Sequence, residues 1–251
     1  MGVTARAEHR FGTVVVIGGG CYGTQYVRQL LRARDAGRAE WLRLLAVDRD
    51  ARCRLAAEYP ADAELVTAEW SAFLATFLAA AASAPDAHAA DAVVPSPLMP
   101  HVLFDWVRAR AAAALGADVP VVAPPELLGV PWQRLGMDQT RYVSHATWIC
   151  PVNCIEPATC PHTKGPRTWS FHEGLAGALG DTPVAVLRVT HRVFGVGMVD
   201  VSDILAADRM ATAQVRAGRP VGVATASRCH GAIGVLEPRA TVSPTSHSRE
   251  I

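Results

Sequence analysis

Hydrophobic and polar positions in the first half of the chain switch between two periods. Thr13–Ile17 (TVVVI) is a short, β-branched apolar run, the pattern of a strand buried on both faces. From Thr24 to Ala36 the residues Val27, Leu30 and Leu31 recur on one helical face, and Gly37 stands where a helix C-terminus favours tolerance of positive φ. WLRLLAV, followed by Asp48, predicts a second strand, ELVTA (64–68) a weak third and DAVVP (91–95) a fourth. Helices are expected over the alanine-rich stretch 69–83 and in PLMPHVLFDWVRARAAAALG, where Val102, Leu103, Trp106 and Val107 share a face. VPVVAPP (119–125) closes the series as a fifth strand. This alternation predicts an α/β fold, a doubly wound parallel sheet occupying residues 1–123.

The second half is patterned differently. Between 124 and 170 no period persists and proline and tryptophan are dense, and so long an irregular segment is usually functional or held by something. TPVAVLRVTHRVFGVGMV (182–199) predicts strand with a glycine-rich turn or bulge. VDVSDILAADRMATAQVRAG (199–218) predicts an amphipathic helix with Val201, Ile204, Leu205 and Ala211 inward, and GVATASRCHGAIGVLE (222–237) another strand. Residues 171–237 are thus expected to form a smaller α+β portion packed on the first domain. The stretch 238–251, rich in Ser, Thr, Pro and Arg, is expected to be a disordered tail.

Chemistry enters where the first predicted strand meets the first helix. Gly18, Gly20 and Gly23 form G-x-G-x-x-G between them. In that context the first glycine makes a tight turn, the second lets backbone approach a pyrophosphate, and the third packs helix on sheet, with the helix N-terminus facing the anion. Asp48 ends the next strand and is placed to accept hydrogen bonds from ribose hydroxyls. The stretch VVVIGGGCYGTQYVRQLL…LLAVDRD resembles the NAD(P)-binding Rossmann superfamily, including nucleotide-binding domains of dehydrogenases and of potassium-channel regulators. That resemblance covers the first half of the chain and implies a bound dinucleotide; an adenosyl pocket of methyltransferase type, or an empty fold, would share the pattern. The acid at 48 favours NAD over NADP because it repels a 2′-phosphate, with Arg49 and Arg52 near enough to soften the preference. In such a sheet the loop after the fourth strand, PSPLMPH, belongs beside the cofactor, and His101 is then a candidate acid or base; a surface histidine near a helix start is the plainer reading.

Composition narrows the classes. With 251 residues, half of them hydrophobic, the chain can bury a large core without disulfides. A net charge of +1 gives no electrostatic footprint for nucleic acid or an anionic membrane. The start has no apolar run of signal-peptide type and AFLATFLAAAASA (72–84) falls far short of a span of about 20 residues, so the expected compartment is the cytoplasm. There the six cysteines are expected to be free thiols or ligands.

Three of those cysteines crowd into CPVNCIEPATCPHTKGPR (150–167), together with four prolines and the only lysine of the chain. Cys150, Cys154 and Cys160 are spaced C-x3-C-x5-C, and Pro151, Pro157 and Pro161 forbid a continuous helix, so the thiols ride a folded-back loop on which sulfurs can converge. Zinc sites use C-x2–4-C pairs and iron–sulfur loops place proline after a ligating cysteine; each matches in part. A reversible dithiol between Cys150 and Cys154, or plain structural cysteines, are the other readings. Cys229 is the fourth ligand expected, with His162 and His230 as alternates. Lys164 and Arg167 are expected to offset thiolate charge or hold an anionic substrate, if they are more than a solvated basic turn. Cys21 is expected to pack near the cofactor and Cys53 to be an ordinary thiol. The whole reads as an NAD(H)-binding oxidoreductase with a cysteine-ligated iron–sulfur or zinc centre, acting on a small molecule or redox partner. A nucleotide- and redox-sensing module without turnover, and a zinc-stabilised fold using another nucleotide, fit the same residues.

Overall fold

The computed structural model describes residues 7–97, 99, 101–151 and 153–238. It is a mixed α/β structure with two mixed sheets and six α-helices among the described residues. The chain begins β1 (His9–Ile17), α1 (Cys21–Asp35), β2 (Ala39–Asp48), α2 (Arg54–Glu58), β3 (Glu64–Thr67), α3 (Trp70–Ser83), β4 (Ala92–Val94) and α4 (Val102–Leu115). The four strands run parallel in the order β3-β2-β1-β4. Both faces of β1 are covered: Val15 and Ile17 join one buried cluster with α3 and α4, Val14 and Val16 another with α1. That double burial explains why TVVVI carries no polar alternation.

The fifth parallel strand expected at 119–125 does not extend this sheet. Only Val121–Val122 forms a strand, β5, and it pairs antiparallel with the second sheet. Prolines at 120, 124 and 125 lack the N–H a central strand must donate, which confines the strand to the short stretch between them. Its place beside β4 is taken by β10 (Gly197–Asp200), antiparallel, which forms a hairpin with β9 (Thr190–His191) at the sheet edge.

The second sheet has the order β6-β7-β12-β11-β8, built from β6 (Trp132–Leu135), β7 (Arg141–Ser144), β8 (Val184–Arg188), β11 (Val221–Ala226) and β12 (His230–Leu236). The stretch 124–170 therefore contains a hairpin, β6–β7, that its aperiodic sequence does not announce. Likewise 222–237 is a hairpin and not one strand, turning at Ser227–Cys229 without the Asn-Gly or Asp-Gly signal of tight turns. The stretch 182–199 divides between the sheets, β8 in the second and β9–β10 in the first. The amphipathic helix expected from 199 forms as α6 (Val201–Arg216), with Val201, Ile204, Leu205 and Ala211 buried as the pattern requires. With α3 and α4 it fills the space between the two sheets, where Val221, Val223 and Leu236 of the second meet Val15, Ile17 and Val47 of the first in one cluster. Phe171, at the start of the short helix α5 (Phe171–Gly174), covers the other face of the second sheet with Leu127 and Leu175. Among the described residues no helix is long and apolar enough to cross a membrane. The expected tail beyond Pro238 lies outside the described residues.

Candidate functional site

The glycine loop is fixed by sterics. Gly18 has φ of +92°, and its amide donates to the Val47 carbonyl at 2.8 Å. A Cβ on Gly23 would lie 1.7 Å from the Gly18 carbonyl oxygen, so any side chain there would drive α1 off the loop. A Cβ on Gly20 meets nothing within 4 Å. Gly20 is also the N-cap of α1 and supplies no side-chain cap to the first-turn amides. Asp48 braces the loop from the end of β2: its Oδ2 accepts the Gly19 amide at 2.7 Å and its Oδ1 the Asp50 amide at 2.9 Å. Of the two nearby cysteines it is Cys53 that packs under the loop, buried, with its sulfur where a Gly19 side chain would be. Cys21 is exposed on the first turn of α1.

A cavity of about 410 Å³ opens between the β4 exit (Pro95, Ser96, Pro97), Tyr26 of α1 and the second sheet. The β4 loop thus borders a pocket, although Leu98 and Pro100 of that loop lie outside the described residues. His101 is not among the lining residues. It is buried, stacked on Phe104 with ring centroids 4.3 Å apart, and neither ring nitrogen has a partner. Burial pushes its pKa down to about 3. The imidazole is neutral, as expected of an acid or base, but it sits in a hydrophobic wall.

The cysteine loop is held to the turn of the β11–β12 hairpin, and the holding group is a residue the sequence reading passed over. Glu156, in a left-handed conformation with φ of +50°, accepts Ser227 Oγ at 2.7 Å and the amides of Arg228 and Cys229 at 2.9 and 3.1 Å. His191 Nδ1 lies 3.4 Å from its second oxygen. Burial opposes ionisation of this carboxyl, yet His191, Ser227 and the Arg228 amide outweigh it and bring the pKa to about 2. A glutamate in CIEPATC carries no local mark of that role, since its hydrogen-bond donors Ser227, Arg228 and Cys229 come more than 70 residues later.

Of the four expected thiols, Cys150 stands within electrostatic reach of the other three. Burial raises Cys150, with further upward pressure from Cys154 and Cys160; Cys229 is pushed up to about 11, first by burial, and also feels Cys150. Cys160 goes the other way, lowered chiefly by the backbone amide of Thr163 and also by that of His162. The Cys154 sulfur accepts the Glu156 amide at 3.4 Å. Arg167 donates to the Cys229 sulfur, and Trp169 Nε1 does so at 3.2 Å. Among the described residues no group of three or more His, Cys, Asp or Glu is gathered in position to hold a metal ion. Of the alternates, His162 lies flat on Trp148 at 4.6 Å and His230 turns its Nδ1 to Ser144 Oγ at 3.0 Å. Of the two cations Arg167 reaches a thiol, whereas Lys164 is exposed in the turn that returns its amide to the Cys160 carbonyl.

The fold and these two loops define an α/β protein with a glycine loop on one sheet and a thiol-bearing loop clasped to the other. A family model described as "Uncharacterized protein, C-terminal domain" (AF_1314_C) matches residues 103–239, more than half of the chain, and the protein belongs to that family. The matched part holds α4, the whole second sheet and the cysteine loop. No curated protein and no solved structure matches the chain.

Proposed function

We propose that the protein binds NAD(H) at the glycine loop and acts as an oxidoreductase whose second redox element is a cysteine-ligated metal centre. The observation that carries the proposal is the contrast within G-x-G-x-x-G: Gly23 is filled to contact by the loop itself, while Gly20 opens on empty space and adds no side-chain cap to the helix amides. This is the division of labour a pyrophosphate site needs, one glycine for helix packing and another for approach of the ligand. The parallel order β3-β2-β1-β4 supports reading this half as Rossmann-like, with an antiparallel edge in place of further parallel strands. Asp48 spends one lone pair of each oxygen on the loop and keeps the others for ribose hydroxyls, which favours NAD(H) over NADP(H).

For the centre, Cys150, Cys154, Cys160 and Cys229 are the residues that would hold it. The backbone N–H groups directed at Cys160 favour the thiolate, the form that ligates, and four thiols are the donor set of iron–sulfur or zinc sites, which the loop must close further to form. An iron–sulfur cluster supplies one-electron chemistry and zinc supplies closure of the loop. Arg167 balances thiolate charge and must turn aside for Cys229 to join the others.

Titration of anaerobically purified protein with NADH and NADPH tests the nucleotide part: NADH binds more tightly, and Asp48→Ala gains roughly tenfold in NADPH affinity as like-charge repulsion is removed. Tighter wild-type binding of NADPH, or no binding of either, overturns it. Metal analysis with an absorption spectrum tests the centre. Serine at Cys150, Cys154, Cys160 or Cys229 lowers metal content and serine at Cys21 or Cys53 does not, while turnover of NADH with an acceptor separates an enzyme from a sensing module.

A further inference from the structure

The floor of the cavity is one face of the second sheet, and the strand register says which residues share it. His230 pairs with Ser144, which pairs with Trp132; Ala232 pairs with Tyr142 on one side and Thr225 on the other. Side chains two apart along a strand share a face, so Trp132, Tyr142, Ser144, His230, Ala232 and Thr225 form one continuous surface. Thr225 continues the row of Val221 and Val223, which farther along β11 packs against the helices between the sheets. A hydroxyl in that row is out of keeping with apolar packing. Thr225 is 5% exposed, lines the cavity, and its Oγ1 has no hydrogen-bond partner.

We propose that this cavity binds a small uncharged molecule, a ring bearing a carboxamide or hydroxyl, through Thr225 and His230. No Asp, Glu, Lys or Arg is among the described lining residues, and the lining His191 already faces the Glu156 carboxylate at 3.4 Å, so no uncompensated charge there meets a ligand charge. The walls are Trp132, Tyr142, Tyr26 and prolines, surfaces that pack against a ring. The polar partners are oriented in advance. Ser144 Oγ lies 2.7 Å from the Ala146 carbonyl, to which only its own proton can be given, and accepts the Ala146 amide at 2.9 Å. Toward His230 Nδ1 that oxygen can then only accept, which places the imidazole proton on Nδ1 and leaves Nε2 as a bare acceptor. Thr225 Oγ1 can donate. As diagonal cross-strand neighbours the two side chains stand about 7 Å apart, a span that a carboxamide bridges by giving a hydrogen to the imidazole and taking one from the threonine, while a hydroxyl reaches one of the two.

This inference needs no nucleotide and stands or falls apart from the function proposed above. Benzamide and benzoate, nearly equal in shape and different in charge, are suitable probes, read by the imidazole nitrogen resonances of isotopically labelled protein. Benzamide shifts the His230 resonances saturably, benzoate binds at least about tenfold more weakly, and Thr225→Val weakens benzamide by roughly tenfold, the effect of one lost hydrogen bond in a buried site. His230→Leu, at an exposed position and read through the resonances of His191, which also lines the cavity, weakens benzamide comparably and guards against a Thr225→Val protein that fails to fold. His230 resonances unmoved up to the solubility limit of benzamide overturn the proposal. So does equal binding of benzoate, or unchanged benzamide affinity in both variants.

Discussion

The glycine loop and the cysteine loop are held in place by opposite means. In the first, backbone packs on backbone: Gly23 against the Gly18 carbonyl, Gly18 against Val47, all within three elements that follow one another in the chain. In the second, a single buried carboxylate satisfies donors from a distant hairpin turn, with Arg167 and Trp169 adding bonds to the Cys229 sulfur. A loop set by such backbone contacts is intolerant of an atom added at the point of contact. An electrostatically set loop tolerates changes of shape better than loss of its charge.

The largest effect expected from this contrast is at Gly23. Alanine there places a methyl 1.7 Å from a backbone oxygen, and we expect a loss of more than about 3 kcal/mol in urea unfolding together with loss of nucleotide affinity. Next comes Glu156→Ala, which strands the Arg228 and Cys229 amides and the Ser227 hydroxyl; about 3 kcal/mol is expected, largest near neutral pH. The sign follows from the depressed pKa. Glu156 stabilises the fold fully above its ordinary value of 4.5, and the contribution is lost as pH falls through about 2, so the deficit of the variant shrinks across that window.

A smaller effect marks the wall of the first half. His101 is kept neutral by burial with a pKa of about 3, so the unfolded chain takes up a proton below 6.5 that the folded chain refuses. Stability therefore falls as pH drops from 6.5 toward 3, by about 2 kcal/mol at pH 5. His101→Leu removes this slope and is near neutral in effect at pH 7, because both unpartnered nitrogens leave together. Urea unfolding of the two proteins at pH 7 and pH 5 checks it; equal slopes would place solvent at the ring.

The same contrast explains what was legible in the sequence. The strand, glycine loop, helix and second strand were readable because their determinants lie within about forty residues and act through local sterics. The helix from 201 was readable from its period. The thiol neighbourhood was half readable, since the loop crowds three cysteines together, but Glu156 was not, because a buried glutamate looks like a surface one until its partners are known. The two-residue β5 carried too little pattern to name its partner, and prolines that exclude it from a central position were visible but unused. Thr225 shows a signal that does exist: one hydroxyl in an apolar alternation, meaningful only once the strand face is assigned.

The central claim is that the open space at Gly20 belongs to a dinucleotide. Calorimetric titration of NADH into wild-type protein and Gly20→Val tests it most directly, because a Cβ at Gly20 meets nothing within 4 Å in the protein. The account predicts saturable binding to the wild type and a loss of at least about a hundredfold in the variant, with both proteins unfolding at the same urea concentration. Equal affinity in the two would contradict it.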